Sequence, residues 1–361
     1  DKPRPILINN WEATYMDFDA QRILDIARQA RELGVEMLVL DDGWFGQRSD
    51  DTSGLGDWQV NEAKLGCTLD QLIGQVREMG LLFGLWVEPE MVCANTALYA
   101  AHPDWALTIP GRAPSTGRSQ LVLDLGRPEV VEYLYGTFHR LLAGHDIAYI
   151  KWDMNRNMTD VYSRALPPER QGETAHRYML GLYDLLGRLT RDFPQVLFEG
   201  CAGGGGRFDA GMLYYCPQIW CSDDTDPIHR IKIQYGTSFG YPPCTMGSHV
   251  SASPNHQTGR STLLSTRAVV AMAGTFGYEL DLQKLTGDEK EMVRAQIARC
   301  KQLQPLLLEG RCERLTNAVA DSCFTAWQFT APDRSRAAVS VVVIDPQANP
   351  WPIHIRLRGL D

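Results

Sequence analysis

The sequence predicts an α/β protein, a (β/α)8 TIM barrel followed by a short, incomplete antiparallel β region. Over residues 1–310, short apolar runs alternate with longer stretches that carry apolar residues at helical spacing. The runs are apolar on both faces, which is typical of strands in a buried parallel sheet. The competing prediction, an open doubly wound sheet for a nucleotide, is weakened because no G-x-G-x-x-G follows the first run.

The predicted elements follow one another in a regular order. The run at 5–11 is the first strand, and the helix at 19–33 ends at Gly34, as a helix with a glycine cap should. Strands are predicted at 5–11, 36–40, 81–87, 120–125, 147–152, 196–199, 218–220, 245–250 and 275–282. Helices are predicted at 19–33, 68–79, 128–144, 175–192, 228–240, 258–273 and 287–308. About eight strand–helix units favour a closed barrel.

Two domains are predicted: the barrel at 1–310 and a C-terminal β-strand appendage at 311–361. The appendage carries strand-like runs at 324–329, 337–344 and 353–357, separated by turn-forming residues. Three strands are few for an independent sandwich, so the appendage should either pack on the barrel or be cut short. The segments 43–67, 154–174 and 251–257 lack periodicity and follow strands, which places them at the carboxyl-terminal face, where barrels carry active sites.

Composition excludes several classes of function. The 361 residues include 35 basic and 44 acidic side chains, for a net charge of −9, and no basic stripe that would bind nucleic acid. No apolar run approaches the length of about 18 residues that a membrane span needs, and the first residues do not resemble a signal peptide. The nine cysteines form no C-x-x-C pair, which argues against structural zinc and favours a reducing, cytoplasmic location.

Polar side chains gather where the predicted strands end. A single Asp in such a place is more often a helix cap or a turn former than a catalyst. A barrel, however, brings all of its strand ends to one rim, so the group together predicts an active site. The group comprises Asp41, Asp42, Trp86, Glu88, Glu90, Asp124, Lys151, Asp153, Asn155, Glu199, Cys201, Asp223, Asp224 and His249.

Clustered acids interleaved with tryptophans suggest a sugar ligand, since carboxylates bond vicinal hydroxyls and flat rings cover a pyranose face. Glycoside hydrolysis also requires two carboxylates. The alternative is a metal site built on Asp41 and Asp42 with Glu88, Glu90 and His249. Adjacent acids on one extended strand point to opposite faces, which suits shared ligation poorly, so no metal and no cofactor is predicted. The glycine run at 203–206 is not followed by G-K-[ST], so a P-loop is not predicted.

Several stretches, in this order, resemble the α-galactosidases of glycoside hydrolase family 36, and together they cover about residues 5–310. The combination of the fourth and sixth stretches is the most specific part of the resemblance. The matching stretches are Asn9–Ala13 (NNWEA), Leu40–Gly46 (LDDGWFG), Gly84–Val92 (GLWVEPEMV), Tyr149–Arg156 (YIKWDMNR), Phe198–Asp209 (FEGCAGGGGRFD), Trp220–Arg230 (WCSDDTDPIHR) and Gly247–Arg260 (GSHVSASPNHQTGR).

The resemblance implies a retaining α-galactosidase that acts on raffinose- or melibiose-like oligosaccharides. Asp153 matches the family's nucleophile and Asp223 its general acid/base. The remaining matches are sugar ligands and pocket walls. They are Asp41 and Asp42 for the 4- and 6-hydroxyls, Lys151, Asn155 and Arg118 for other hydroxyls, Cys201 and Gly203 near the 2-hydroxyl, and Trp11 and Trp220 as aromatic walls.

The residues themselves agree with these roles in part. Lys151 precedes Asp153 by two positions on one strand, so both side chains should share a face, and the ammonium can keep the nucleophile ionised. The acid/base needs a pKa raised by burial or by a nearby carboxylate. Alternation should turn Asp224 away from the sugar, but the choice of Asp223 rests on the resemblance.

Alternative functions remain open at this point. An α-N-acetylgalactosaminidase and a galactosyltransferase like raffinose synthase share the chemistry, and a non-catalytic sugar-binding barrel is favoured less because both acids are present. Family members carry a large β-rich domain before the barrel and a β-sandwich after it. The resemblance therefore implies a fragment of a longer protein, which is compatible with a homo-oligomer in its full length, and predicts weak activity for the fragment alone.

Overall fold

The computed structural model describes residues 4–321, 323–350 and 352–360. In this part of the chain, eight parallel strands form a closed barrel in which each pairs with its neighbours in sequence and β1 also pairs with β8. The predicted TIM barrel is therefore confirmed. Strands β1 to β8 span Leu7–Asn9, Met37–Leu40, Leu82–Val87, Tyr149–Trp152, Leu197–Gly200, Gln218–Trp220, Met246–Ser251 and Thr275–Glu279.

Helices connect these strands and cover the barrel. The second helix, Ala20–Leu33, is capped by Asp19, whose side chain accepts a hydrogen bond from the backbone N–H of Arg22. It ends at Gly34, which adopts a φ of +96° that an L side chain rarely tolerates. The helices span Trp11–Thr14, Ala20–Leu33, Glu62–Leu65, Leu69–Glu78, Ala97–Ala101, Pro128–Gly144, Thr174–Asp192, Ala210–Tyr215, Pro227–Thr237, Leu264–Ala271 and Gly287–Glu309. None that the structure describes is long and apolar enough to cross a bilayer.

The strand predicted at 120–125 lies outside the barrel. Residues Gln120–Val122 pair antiparallel with Met91–Cys93 in a separate two-stranded sheet, within the excursion between β3 and β4. Both segments are buried. An apolar run of this length therefore has the same sequence pattern whether it belongs to the barrel or to a buried pair of strands outside it. The prediction of a strand was right and its implied place was wrong.

Three antiparallel strands follow the barrel: Arg311–Arg314 (β9), Phe324–Thr330 (β10) and Ala337–Val343 (β11). The sheet packs on the barrel's outer helices through a cluster formed by Ile231, Val270, Ala318 and Val342. The strand predicted at 353–357 is wrong, because that segment has no strand pairing and is held beside β10 by the Gln328 amide, which donates to the Arg358 carbonyl at 2.6 Å. The division into domains at residue 310 stays a prediction.

Candidate active site

A cavity of about 190 Å³ opens at the carboxyl-terminal ends of the barrel strands. Parallel strands end together at this face, so side chains from distant parts of the sequence converge there. Every residue that the family resemblance assigns to the site, except Cys201 and Gly203, lines the cavity. Among the other predicted strand-end residues Trp86 also lines it, whereas the following do not: Glu88, Glu90, Asp124, Glu199, Asp224 and His249. The lining consists of Trp11, Glu12, Asp41, Asp42, Trp86, Arg118, Lys151, Asp153, Asn155, Trp220, Asp223, Thr225, His256, Gln257 and Glu279.

Asp153 directly follows β4 and is held in place by three donors. Its Oδ2 accepts hydrogen bonds from Trp86 Nε1 at 3.0 Å and from Asn155 Nδ2 at 2.6 Å. Its Oδ1 accepts one from the backbone N–H of Met154 at 2.8 Å. Because donors approach both oxygens, the carboxylate has a fixed orientation at the cavity wall, which a nucleophile needs.

Asp223 follows β6 and accepts a hydrogen bond from Trp220 Nε1 at 3.1 Å. Burial, and next the charge of Asp153, raise the pKa of Asp223 above its usual value. The direction agrees with the prediction for an acid/base. The carboxylate responsible is Asp153 and not Asp224, which is absent from the cavity lining and contacts His229 Nδ1 at 2.7 Å.

Asp41 and Asp42 both line the cavity, so the prediction that they point to opposite faces is wrong. Strict alternation fails because β2 ends at Leu40 and the chain has already left the strand. Asp41 Oδ2 accepts hydrogen bonds from Asn9 Nδ2 at 2.6 Å and from Lys151 Nζ at 3.0 Å. Each carboxylate is thereby fixed by its own partners.

Arg48 and Asp42 form a bidentate ion pair. Arg48 Nε lies 3.0 Å from Asp42 Oδ1 and Arg48 Nη2 lies 2.7 Å from Asp42 Oδ2, and both side chains are buried. Burial raises the pKa of Asp42 although the Arg48 guanidinium opposes the shift. The guanidinium therefore compensates the charge of a carboxylate that is almost completely buried.

Replacing Arg48 by methionine should destabilise the fold by about 3–5 kcal/mol, because the variant leaves the Asp42 carboxylate buried without a partner. The loss should shrink as pH falls, since the unpaired Asp42 can then take up a proton. Urea unfolding at neutral and acidic pH measures both effects. The control is Arg28→Met, which breaks an exposed pair with Asp25 and should cost about 0–1 kcal/mol. Equal losses in the two variants would contradict the assignment.

Lys151 is a buried cation among acids. Burial by itself lowers the pKa of Lys151, but the charges of Asp41, Glu279 and Asp153 outweigh it and hold the pKa well above its usual value. The ammonium therefore stays charged, and its hydrogen bond goes to Asp41. Asp153 is among the charges that raise the pKa of Lys151, and both side chains line the cavity, as expected from their spacing of two residues.

Arg118 reaches the cavity from the loop that precedes the hairpin strand Gln120–Val122. Its backbone and that of Ser119 adopt φ values of +53° and +58°, which non-glycine residues rarely adopt. Its Nη2 contacts Asp51 Oδ1 at 2.7 Å. Asp51 belongs to the loop after β2, so this ion pair joins two loops at the cavity rim.

Cys201 and Gly203 lie outside the cavity lining, contrary to the prediction from resemblance. Burial, and next the charge of Asp153, raise the pKa of the Cys201 thiol well above its usual value, and the thiol is within hydrogen-bonding reach of that carboxylate. A Cβ at Gly203 would meet no atom within 4 Å. A Cβ at Gly204 would lie 2.7 Å from the backbone nitrogen of Asp223, so Gly204 is the glycine that the site requires.

Some lining residues were not among the predicted sugar ligands. Glu12 accepts hydrogen bonds from Thr225 Oγ1 at 2.7 Å and from the backbone N–H of Ala252 at 3.1 Å, and lies 3.4 Å from His256 Nδ1. It thus joins the short helix Trp11–Thr14 to the loops after β6 and β7. Glu12 and His256 fall within stretches that carry the family resemblance, which was the available signal. Glu279 ends β8 and contacts His249 Nδ1 at 2.9 Å, and its position at a strand end could have marked it.

The chain is similar to known proteins over its whole length. Residues 1–310 match the model of the family described as Melibiase. The chain is 56% identical to α-galactosidase AgaA of Geobacillus stearothermophilus over 361 residues, 100% of this chain and 49% of that protein. It is 50% identical to α-galactosidase 1 of Pediococcus pentosaceus over 361 residues, with the same coverage. It thus spans about half the length of these relatives.

Solved structures agree with the sequence comparison. The crystal structure of the family 36 α-galactosidase AgaA from Geobacillus stearothermophilus superposes with a TM-score of 0.98, covering 100% of this chain and 50% of that one. The galactosidase domain of AgaSK gives a TM-score of 0.95 at 52% identity, covering 99% of this chain and 49% of that one. The chain therefore belongs to the melibiase family, glycoside hydrolase family 36.

Proposed function

We propose that this chain carries the catalytic site of a retaining α-galactosidase, which removes terminal α-linked galactose from oligosaccharides such as raffinose or melibiose. One observation carries the proposal: Asp153 and Asp223 line the same cavity in different environments. Asp153 is fixed by three donors, whereas Asp223 has a raised pKa. Such a division suits one carboxylate for attack and the other for proton transfer.

In the first step, Asp153 attacks the anomeric carbon while Asp223 gives its proton to the glycosidic oxygen. The bond to the leaving sugar breaks as the bond to Asp153 forms, and a covalent galactosyl-enzyme results. In the second step, the Asp223 carboxylate removes a proton from water, and the water oxygen displaces Asp153 from the anomeric carbon. Two inversions give retention, and both carboxyl groups return to their starting protonation states.

Other lining residues suit the recognition of a galactose ring. Asp41 and Asp42 offer acceptors, Lys151 offers a donor, and Trp11 and Trp220 offer ring faces for the apolar side of the pyranose. AgaA has been crystallised with raffinose and, in another variant, with stachyose. One variant replaces an aspartate by asparagine and the other replaces an aspartate by alanine, beside a substitution common to both. Those two aspartates are separated in that sequence by the same number of residues as Asp153 and Asp223 are in this one. The match supports the assignment of Asp153 and Asp223 as the two catalytic acids.

Hydrolysis of an aryl α-galactoside, followed by NMR from the first turnover, tests the proposal. The expected first product is α-galactose, which later equilibrates with the β form. β-Galactose as the first product would contradict double displacement. Parallel assays with an aryl α-N-acetylgalactosaminide and with a sugar-alcohol acceptor examine the two related activities. The aryl α-galactoside should be the better substrate, and transfer should not exceed hydrolysis.

We also propose that the protein works in a reducing compartment such as the cytoplasm. All nine cysteines are free, which fits such a compartment. The weak activity expected of this chain alone stays a prediction. Assay of the chain beside a protein that extends to the length of its relatives measures the difference, and equal turnover would contradict it.

A further inference from the structure

Two glutamates follow β3, and both are completely buried, but their surroundings differ in charge. Glu90 forms a bidentate ion pair with Arg207. Arg207 Nη2 lies 2.7 Å from Glu90 Oε1, and Arg207 Nη1 lies 2.9 Å from Glu90 Oε2. Trp152 Nε1 adds a hydrogen bond at 2.9 Å. The negative charge of Glu90 is therefore compensated inside the protein, as a buried carboxylate requires.

Glu88 has no such partner among the residues that the structure describes. Its Oε1 accepts a hydrogen bond from the backbone N–H of Asn155. Arg48, whose charge acts on Glu88, directs its donors to Asp42 and to the Ser53 carbonyl. A charged Glu88 would thus add a buried negative charge next to Asp153 and Asp42, and no cation is bonded to Glu88 to compensate it.

Gln120 indicates where a proton on Glu88 would go. Its side chain is completely buried, its Nε2 lies 3.5 Å from Glu88 Oε2, and its Oε1 has no hydrogen-bond partner in the described part of the chain. The two ends of an amide have nearly the same shape, so a half-turn places Oε1 beside Glu88. A proton on Glu88 Oε2 then completes an O–H···O hydrogen bond to the Gln120 carbonyl oxygen, which is the atom that otherwise has no partner.

We propose, building on the proposed function, that Glu88 is a neutral carboxylic acid that positions the nucleophile. It donates its proton to Gln120 and accepts the backbone N–H of Asn155, whose side chain in turn bonds Asp153 Oδ2 at 2.6 Å. Trp86, two residues before Glu88 on β3, bonds the same oxygen. The end of β3 therefore holds Asp153 both directly and through Asn155.

The electrostatic surroundings of Glu88 favour the neutral form. Burial, and next the charge of Asp153, raise its pKa to about 8, although the Asn155 N–H opposes the shift. The titratable and charged groups that face Glu88 are Asp153 after β4, Asp42, Arg48 and Cys93 in the excursions after β2 and β3, and Arg118 in the loop before the hairpin strand. Glu88 should thus be protonated near neutral pH and ionise above it.

Thermal unfolding as a function of pH tests the proton on Glu88. Between about 4.5 and about 8 the folded chain binds this proton and the unfolded chain releases it, so the contribution of Glu88 to stability falls as pH rises. The variant Glu88→Gln cannot titrate, so its Tm should rise relative to wild type across this window. The matched control Glu90→Gln loses the ion pair with Arg207 and should have a lower Tm than wild type throughout.

Kinetics test the positioning role. Glu88→Ala should lower kcat by about 100-fold. The variant loses the contact that positions Asn155, so Asp153 can shift from its reactive position. KM should change little, since Asp41 and Lys151 keep their mutual contact. Glu88→Gln keeps the acceptor and a donor and should recover most of the loss. Above pH 8, wild type should lose activity relative to Glu88→Gln, because a new charge then forms beside Asp153.

Two results would overturn the proposal: a Tm difference between Glu88→Gln and wild type that does not vary with pH, or a kcat for Glu88→Gln as low as that of Glu88→Ala. The thermal series needs no substrate. If wild type fails to hydrolyse α-galactosides, the proposed function fails, but the protonation of Glu88 is still decided by Tm. The two failures are therefore distinguishable.

Discussion

Replacement of Asp153 by alanine should abolish turnover of α-galactosides, with a loss on the order of 10⁴–10⁶-fold in kcat. The reason is chemical: without this carboxylate no covalent intermediate forms, and the first displacement has no nucleophile. The fold should survive, because the donors to Asp153 belong to Trp86, Met154 and Asn155, and water can enter the cavity to bond them. Release of aryl alcohol under saturating substrate measures the loss.

Azide should restore activity to Asp153→Ala and reveal which face of the sugar it attacks. A small anion fits the space of the lost side chain and attacks the anomeric carbon from the side that Asp153 occupied. A single inversion then gives β-galactosyl azide. The control is Asp146→Ala, a surface acid paired with Arg77, which should turn over like wild type. Undiminished hydrolysis by Asp153→Ala, or an α-galactosyl azide product, would contradict the role of Asp153.

The barrel could be predicted because its strands are buried on both faces and its helices carry one apolar face, and both patterns are local in sequence. The run at 120–125 shows the limit of such patterns. It is apolar because it pairs with Met91–Cys93 under cover, and local periodicity does not tell which strand a run will pair with. The pairing depends on the excursion after β3, whose path is set by tertiary contacts.

The location of the site at the strand ends could be predicted from the sequence. The contacts between its side chains could not. Asp124 also follows an apolar run, yet its Oδ1 accepts the backbone N–H of Gly126 at 3.1 Å, and it lies outside the cavity lining. It is a turn former, the commoner role of an acid in such a place. Conversely, Glu12 and Thr225 meet across more than 200 residues of sequence, at 2.7 Å, and no spacing in the chain indicates that contact.

The chemistry of each acid is likewise a property of its neighbours. Glu88 and Glu90 are the same residue type at the same strand end, both fully buried, and only one of them meets a guanidinium. That difference comes from Arg207, which is distant in sequence and is brought to Glu90 by the fold. The sequence can therefore identify a carboxyl group as a candidate site residue. The protonation state of that group depends on the partners that the fold brings to it.

Replacement of Asp223 by alanine should give a loss that depends on the leaving group. General acid catalysis contributes about 10²–10⁴-fold, and the whole of it should be lost with raffinose, whose leaving sugar needs a proton. An aryl galactoside with an acidic phenol needs less assistance and should react faster than raffinose in this variant. The neighbouring variant Asp224→Ala is the matched control, since its carboxylate contacts His229 and lies outside the cavity lining. A uniform loss across leaving groups would contradict an acid role.

The pH profile and the azide product distinguish Asp223 from Asp153. Burial and the Asp153 charge raise the pKa of Asp223, so wild type should keep its acid protonated to higher pH and lose activity on raffinose as pH rises through that pKa. In Asp223→Ala this contribution to the alkaline loss should disappear. Azide should attack the galactosyl-enzyme without needing a base and give α-galactosyl azide, the opposite anomer to that from Asp153→Ala. The same anomer from both variants would contradict a division of roles, because one carboxylate is replaced on each face of the sugar.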